Sequence, residues 1–198
     1  MKREAIKPIG VGTEGHLRFL LCDLAGGIVD PSSPGEEWVT SPIQCMDKAV
    51  DWKPNIIVVS FGQMPIRERD ALVELSAALK RNSHTKQCPV LALLSSKHRK
   101  LIEDLKRAKV DYVRYIGDVR LYSTQVEAII EGLGSADRTE RRLKTVCPFL
   151  NYSQIDSRHE LTVCGAYLDR MALGGRRLHA ICEAEDHLAC EYYRNPRR

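Results

Sequence analysis

Four of the seven cysteines in this 198-residue chain, Cys147, Cys164, Cys182 and Cys190, fall within its last 52 residues, spaced C-x16-C-x17-C-x7-C. The segment holds few large aliphatic side chains, so four thiols make poor core material there, whereas four thiolates complete a tetrathiolate metal or cluster site. Zinc is usually held by close C-x2-4-C pairs on a tight turn, because a single ion needs its ligands close together. No such pair occurs. A [4Fe-4S] cube is larger and can collect single cysteines from separate segments, so the wide spacing favours a cluster, with zinc as the alternative. His187, in "CEAEDHLACEYY", is a candidate either to replace one thiolate or to donate a hydrogen bond to a cluster sulfur. Tyr192 and Tyr193 are expected to pack over the centre and exclude water. A single straight helix over 176–190 would hold Cys182 and Cys190 about 12 Å apart at ~1.5 Å per residue. Either the helix breaks around Glu183 to His187, with Asp186 capping the new turn, or the two thiols serve different sites; the break is the expectation. Arg170, Arg176, Arg177, Arg194, Arg197 and Arg198 surround this chemistry, as counter-charges to an anionic centre or as ordinary solvated surface.

The remaining cysteines, Cys22, Cys45 and Cys88, are scattered singly and read as small buried hydrophobes. An odd count without paired spacing is no disulfide framework. The N-terminus "MKREAIKPIGVG" has no apolar stretch of secretory length behind it, and no run is long enough to span a bilayer. The expected compartment is the cytoplasm, where thiols stay reduced. Hydrophobic residues at 43% and charged residues at 28% describe a folded chain. A net charge of +4, with both signs interspersed, offers no stripe for a phosphate backbone, so nucleic-acid binding is not indicated. His16, His84, His98, His159 and His179 have no partner legible in the sequence, and no Ser-His-Asp, paired-carboxylate or nucleotide constellation appears. An enzyme acting alone is disfavoured.

The elements that must position the cysteines alternate regularly. "LRFLLCDL" and "CPVLALLSS" read as buried strands, and "KPNIIVVSF" is the clearest strand of all. "SPIQCMDKAVDW", "RERDALVELSAALKRN", "KHRKLIEDLKRAKV" and "STQVEAIIEGL" carry helical spacing, and "DYVRYIG" is a shorter strand. "AGGIVDPSSPGEEW" breaks regular structure and reads as a long loop or irregular crossover. The alternation predicts an α/β fold with a doubly wound parallel sheet, followed by a small helical cysteine-rich metal-binding tail. The polar stretch "GSADRTERR" sets the expected domains at 1–135 and 136–198.

The order "KPNIIVVSF", helix, "CPVLALLSS", helix, "AKVDYVRYI", helix resembles the response-regulator receiver family, which has a flavodoxin-like fold, over residues 15–133. The resemblance implies a phospho-accepting Asp at the end of the third strand, an acidic pair after the first, a hydroxyl after the fourth and a Lys after the fifth. Here Ser60 or Phe61 stands in place of the Asp, Asp23 is the acidic residue left, Ser95 or Ser96 matches the hydroxyl, and Tyr115 lies near the Lys position. Phosphotransfer through Mg²⁺ and an aspartyl phosphate is then not expected. The resemblance implies a pseudo-receiver that signals through protein partners or as a homodimer. The phrases "CPFL", "CGAYL" and "CEAEDHLACEYY" look similar to cysteine-rich tails of small bacterial and archaeal regulatory or iron–sulfur proteins, which transfers ligand status to the four cysteines. Together these imply a non-catalytic redox- or metal-responsive regulator carrying a [4Fe-4S] cluster. The alternatives are a zinc-stapled interaction module or an electron-transfer accessory subunit.

Overall fold

The computed structural model describes residues 17–26, 28–29 by their backbone alone, 35–168 and 171–197. The continuous apolar runs form the centre of a parallel sheet. Strands β1 (Phe19–Asp23), β4 (Ile56–Phe61) and β5 (Val90–Leu94) are buried at every position. They are flanked by β3 (Glu36–Val39) and β6 (Tyr112–Tyr115) in the order β3-β1-β4-β5-β6. All four pairings are parallel. This order is compatible with a flavodoxin-like fold. A short parallel pair, β2 (Ile28–Val29) with β7 (Leu121–Tyr122), lies outside it.

Strand periodicity sorts the core onto two faces. Leu20, Cys22, Ile57, Val59, Ala92 and Leu94 meet the buried sides of α1 (Pro42–Trp52), α2 (Ile66–Arg81) and α3 (Arg99–Arg107). Phe19, Leu21, Ile56, Val58, Leu91 and Leu93 pack on Val126 and Ile130 of α4 (Ser123–Glu131). The first crossover, from β1 to β3, holds no helix among the described residues. "EEWV" near its end is nevertheless a strand, because β1 supplies a parallel partner from Phe19↔Glu36 to Cys22↔Val39.

Local signals fix the helix ends. Pro42 opens α1, and the Ser41 hydroxyl accepts from the Gln44 amide at 3.2 Å. The helix closes at Lys53, in the left-handed region at φ 50°. Helix α3 is capped by an imidazole: His98 Nδ1 accepts from the Leu101 amide at 3.1 Å.

The C-terminal segment departs from the expected helical tail. After α5 (Thr139–Lys144) it forms an antiparallel sheet of β8 (Leu150–Gln154), β9 (Glu160–Cys164) and β10 (Met171–Ala172). Asp156 makes the hairpin turn, its Oδ1 accepting from the amides of Arg158 at 2.7 Å and His159 at 2.8 Å. With that turn fixed, "LNYSQ" and "ELTVC" are too short to be helices and pair in register, Leu150 opposite Cys164. Short helical pieces follow: α6 (Gly175–Arg177), a π-helical turn over Leu178–Cys182, a 3-10 turn over Glu185–Ala189 and α7 (Glu191–Arg194).

This segment docks on the face that carries α1–α3. Val146, Cys147, Leu150, Cys164, Ala166, Leu173 and Cys182 belong to the same apolar cluster as Leu72, Leu75 and Leu101. Polar ties surround that contact. Arg99 donates from Nη1 to the Val146 carbonyl at 2.7 Å, and its amide donates to the Tyr152 hydroxyl at 2.9 Å. The Ile66 amide, at the start of α2, donates to the Ser157 carbonyl of the hairpin turn at 3.0 Å. Among the described residues no helix is long and apolar enough to cross a membrane.

Candidate metal centre

Each of the four tail cysteines comes from a different element. Cys147 follows α5, Cys164 ends β9, Cys182 ends the π-helical turn, and Cys190 lies between the 3-10 turn and α7. Backbone pairing brings them together: the Cys147 amide donates to the Cys182 carbonyl at 2.8 Å, and Cys164 pairs with Leu150 on one side and Met171 on the other. All four line one pocket, closed by Phe149, Met171, Ile181, Tyr192 and Tyr193. Cys147, Cys164 and Cys182 are buried and Cys190 is half-buried. The tyrosines therefore lie where the sequence placed them, and they are braced by ring contacts: Phe149 with Tyr193 at 5.9 Å, and Tyr167 with Tyr192 at 5.0 Å.

The lining is mostly apolar, and the electrostatics of the thiols follow from burial. Burial pushes the Cys182 thiol up to about 12, with Cys147, Cys164 and Cys190 adding to the rise and Arg177 opposing it. Burial also raises Cys147; the Phe149 backbone amide opposes the shift and Cys164 and Cys190 reinforce it. Without a cation, Cys147 and Cys182 are thus neutral thiols at physiological pH. Ligation by either displaces a proton.

The helix break expected from the spacing is present. The π-helical turn ends at Cys182, and a separate 3-10 turn starts at Glu185. Its cap is not the one expected: Ala184 occupies that position with no side-chain bond, and Asp186 lies inside the turn. His187 is 3% exposed and lines the pocket beside the cysteines. Its Nδ1 contacts the Ala184 carbonyl at 2.6 Å. A carbonyl only accepts, so Nδ1 carries a proton. Tyr193 meets the ring edge-on at 5.3 Å. Arg177 also lines the pocket and covers the Tyr192 ring at 5.3 Å, whereas Arg170 and Arg198 lie outside the described residues.

Among the described residues no three His, Cys, Asp or Glu side chains come close enough to hold a single metal ion. The void between the thiols is about 10 Å³, roughly one water. Four thiols line this void, which is smaller than a cluster. Loading it would require the lining side chains to spread.

The receiver-like positions lie at the carboxyl end of the sheet. Asp23 is fully buried and lies in register with Ser60, which is 3% exposed. Ser95 follows β5, its amide donating to the Phe61 carbonyl at 3.1 Å. Tyr115 ends β6 and is exposed, with the Lys97 ammonium 5.5 Å from its ring centre. Cys22 and Cys45 are fully buried and Cys88 is half-buried. Cys22 hydrogen-bonds Cys45, and this contact, together with burial, pushes the Cys45 thiol far up.

Sequence reasoning missed a second polar constellation. Beyond the ends of β4, β5 and β6, roofed by the β8–β9 hairpin and the π-helical turn, lies an open cleft of about 830 Å³. On its wall Arg69 grips Glu160 with Nη1–Oε2 at 2.6 Å and Nη2–Oε1 at 3.3 Å. His98 Nε2 lies 3.1 Å from the same carboxylate, and Tyr152 stacks on the imidazole at 3.7 Å. Burial works against ionisation of Glu160, yet its bonds with Arg69 and the neighbouring His98 hold the carboxyl below its ordinary range. Burial, joined by the Arg69 charge, pushes His98 down to about 4. His98 Nδ1 caps α3, so the proton of the neutral ring is on Nε2 and is donated to Glu160. The other histidines seen as solitary in the sequence also differ: His179 bonds Glu183 at 2.8 Å and His159 bonds Asp156 at 2.8 Å. His84 is exposed, and His16 lies outside the described residues. No sequence signal marks this group, since the partner of Arg69 lies 91 residues away. In comparisons of the whole chain with protein-family models and with curated proteins, no match was found.

Proposed function

We propose that this chain is a non-catalytic, redox- or metal-responsive regulatory protein, holding a [4Fe-4S] cluster on Cys147, Cys164, Cys182 and Cys190 and acting through protein partners. One observation carries the reading: four thiols from four separate elements line one small, mostly apolar pocket. When bound, the cluster supplies a redox couple and a lesion that oxidants can inflict. The chain's own residues do the rest. Tyr192, Tyr193 and Phe149 keep water out, Arg177 offsets thiolate charge, and His187 lines the centre with its Nδ1 tied to the Ala184 carbonyl.

The receiver-like sheet serves as the transmitting body. Ser60 occupies the position of a phospho-acceptor and Asp23 is sealed from solvent, which supports signalling without phosphorylation. Loss of the centre would leave buried cysteines within the core that α1–α3 share, so the tail's packing responds to the state of the ligands. Anaerobic purification with a UV–visible spectrum and iron, sulfide and zinc analysis tests the proposal. A broad band near ~400 nm, with iron matched by sulfide, supports it. A colourless protein carrying one zinc, or no metal after reconstitution with iron and sulfide, overturns it.

A further inference from the structure

Positive and negative residues mingle along the sequence, but the fold sorts them by depth on one face. The segments 99–114 and 137–144 hold ten Lys and Arg residues against five Asp and Glu, a net +5 where the whole chain carries +4. They lie side by side at the β6 edge of the sheet. The Thr139 hydroxyl donates to the Val110 carbonyl at 2.6 Å, the Thr139 amide donates to the Asp111 carbonyl at 3.3 Å, and Arg99 joins α3 to the end of α5. Three carboxylates here are each shared by two cations: Asp104 by Lys100 and Arg107, Asp111 by Lys80 and Arg138, Asp137 by Arg114 and Arg142. The carboxylate side chains are 4–26% exposed, whereas those of Lys100, Arg107, Arg114 and Arg138 are 39–74% exposed. Each group therefore turns positive charge toward solvent. Lys106, Lys109, Arg141 and Lys144 are exposed as well, and none has an ion pair among the described residues. Glu103 is taken by Arg99 at 2.8 Å, which leaves Glu140 as the single unpaired acid of the two segments among the described residues.

We propose that this face binds duplex DNA through its phosphate backbone, without reading the bases. A duplex presents closely repeated negative charges, and unpaired lysines and arginines meet them by releasing condensed counterions. Unpaired strands are held instead by stacking their bases on aromatic rings. Tyr112 is the one aromatic residue of the two segments, and it is buried, with the Arg138 guanidinium 4.6 Å over its ring. Base reading needs an element that lies along a groove, and α5, which carries Arg141 and Lys144, has six residues. Contacts then stay on the backbone, where they position without specifying. A folded acidic partner would need its carboxylates placed to match these cations, a demand that a uniformly charged duplex does not make.

Fluorescence anisotropy of a labelled duplex of about 20 base pairs, titrated with the full chain, tests the inference. Saturable binding is expected at ~50 mM salt, and at ~200 mM it should weaken about 150-fold, the loss for four phosphate contacts at a slope of roughly −0.9 each. Arg141→Gln with Lys144→Gln should weaken binding at least about tenfold at the lower salt and halve that slope. Lys53→Gln with Arg67→Gln, at the end of α1 and the start of α2, should leave the slope unchanged. All four side chains belong to exposed residues, so the variants keep the fold, which circular dichroism checks. Absence of saturable binding at the lower salt, an affinity indifferent to salt, or equal losses in the two double variants overturns the inference. So does competition by a single strand, polyglutamate or phosphatidylserine vesicles that equals that of unlabelled duplex, or tighter binding of duplex RNA. None of these readouts depends on metal content, so their failure leaves the cluster reading untouched.

Discussion

His98 makes the seating of the hairpin against α3 sensitive to acid. In the folded chain its Nδ1 accepts from the Leu101 amide, its Nε2 faces Glu160, and Arg69 Nη1 lies 3.4 Å from the same ring nitrogen. Protonation would cost α3 its cap and set a second cation against Arg69 in a buried site. Burial and that neighbouring charge push His98 from an ordinary 6.5 down to about 4. Between these values the unfolded chain holds a proton that the folded chain refuses, so stability rises with pH. The contribution is complete above about pH 6.5 and is lost as pH falls toward 4. At ~1.36 kcal/mol per pH unit the whole interval is worth about 3 kcal/mol. Urea unfolding followed by circular dichroism from pH 7.5 to 4 measures it. His98→Asn keeps an oxygen able to cap Leu101 and removes the titration, so its stability profile should be flatter across this interval by about that amount. If the variant loses stability as steeply as the parent, the account of His98 is wrong.

Three further outcomes are expected. Alanine at Cys147, Cys164, Cys182 or Cys190 should each reduce bound iron at least severalfold after anaerobic reconstitution, whereas Cys88→Ala should leave it unchanged, as read by iron and sulfide analysis. Asp137→Asn should destabilise the chain by roughly 3 kcal/mol in urea, because the buried carboxylate answers both Arg114 at 2.9 Å and Arg142 at 2.6 Å. Incubation with acetyl phosphate and Mg²⁺ should add no phosphoryl mass by intact mass spectrometry, since Ser60 stands where the receiver resemblance would place the acceptor and Asp23 is buried.

The parts of the fold that could be read in the sequence are those in which one segment decides its own fate. "IIVVSF" is buried throughout whatever its neighbours, and Leu72, Leu75 and Leu79 mark the inner side of α2 by spacing alone. "EEWV" was unreadable because two glutamates and four residues look like loop until β1 provides a parallel partner. The tail strands were hidden for a related reason: a five-residue strand has no periodicity to outweigh cysteine-rich composition, and the Asp156 turn acts only once both strands are present. The break after Cys182 is where the cysteine spacing placed it, on the premise that Cys182 and Cys190 serve one centre. The trio of Arg69, His98 and Glu160 left no such trace. Its members lie 29, 62 and 91 residues apart, and a histidine cap is not a pattern that propensity announces.

The continuity of apolar packing from Leu72 and Leu101 through Leu150 to Cys182 has a consequence for how the molecule comes apart. A sheet domain with its own sealed core and an appended tail would melt in two steps, the tail first. Here the C-terminal segment covers the same face that α1–α3 cover, and Arg99 ties the carbonyl before Cys147 to the first turn of α3. Heat or denaturant therefore meets one cooperative unit. A fragment ending near residue 135 would lack the cover for that face and present apolar surface of the kind that drives self-association. Damage at the cysteines would then be felt as a loss of solubility and lifetime of the whole chain, which gives a cell's proteases a means of reading it.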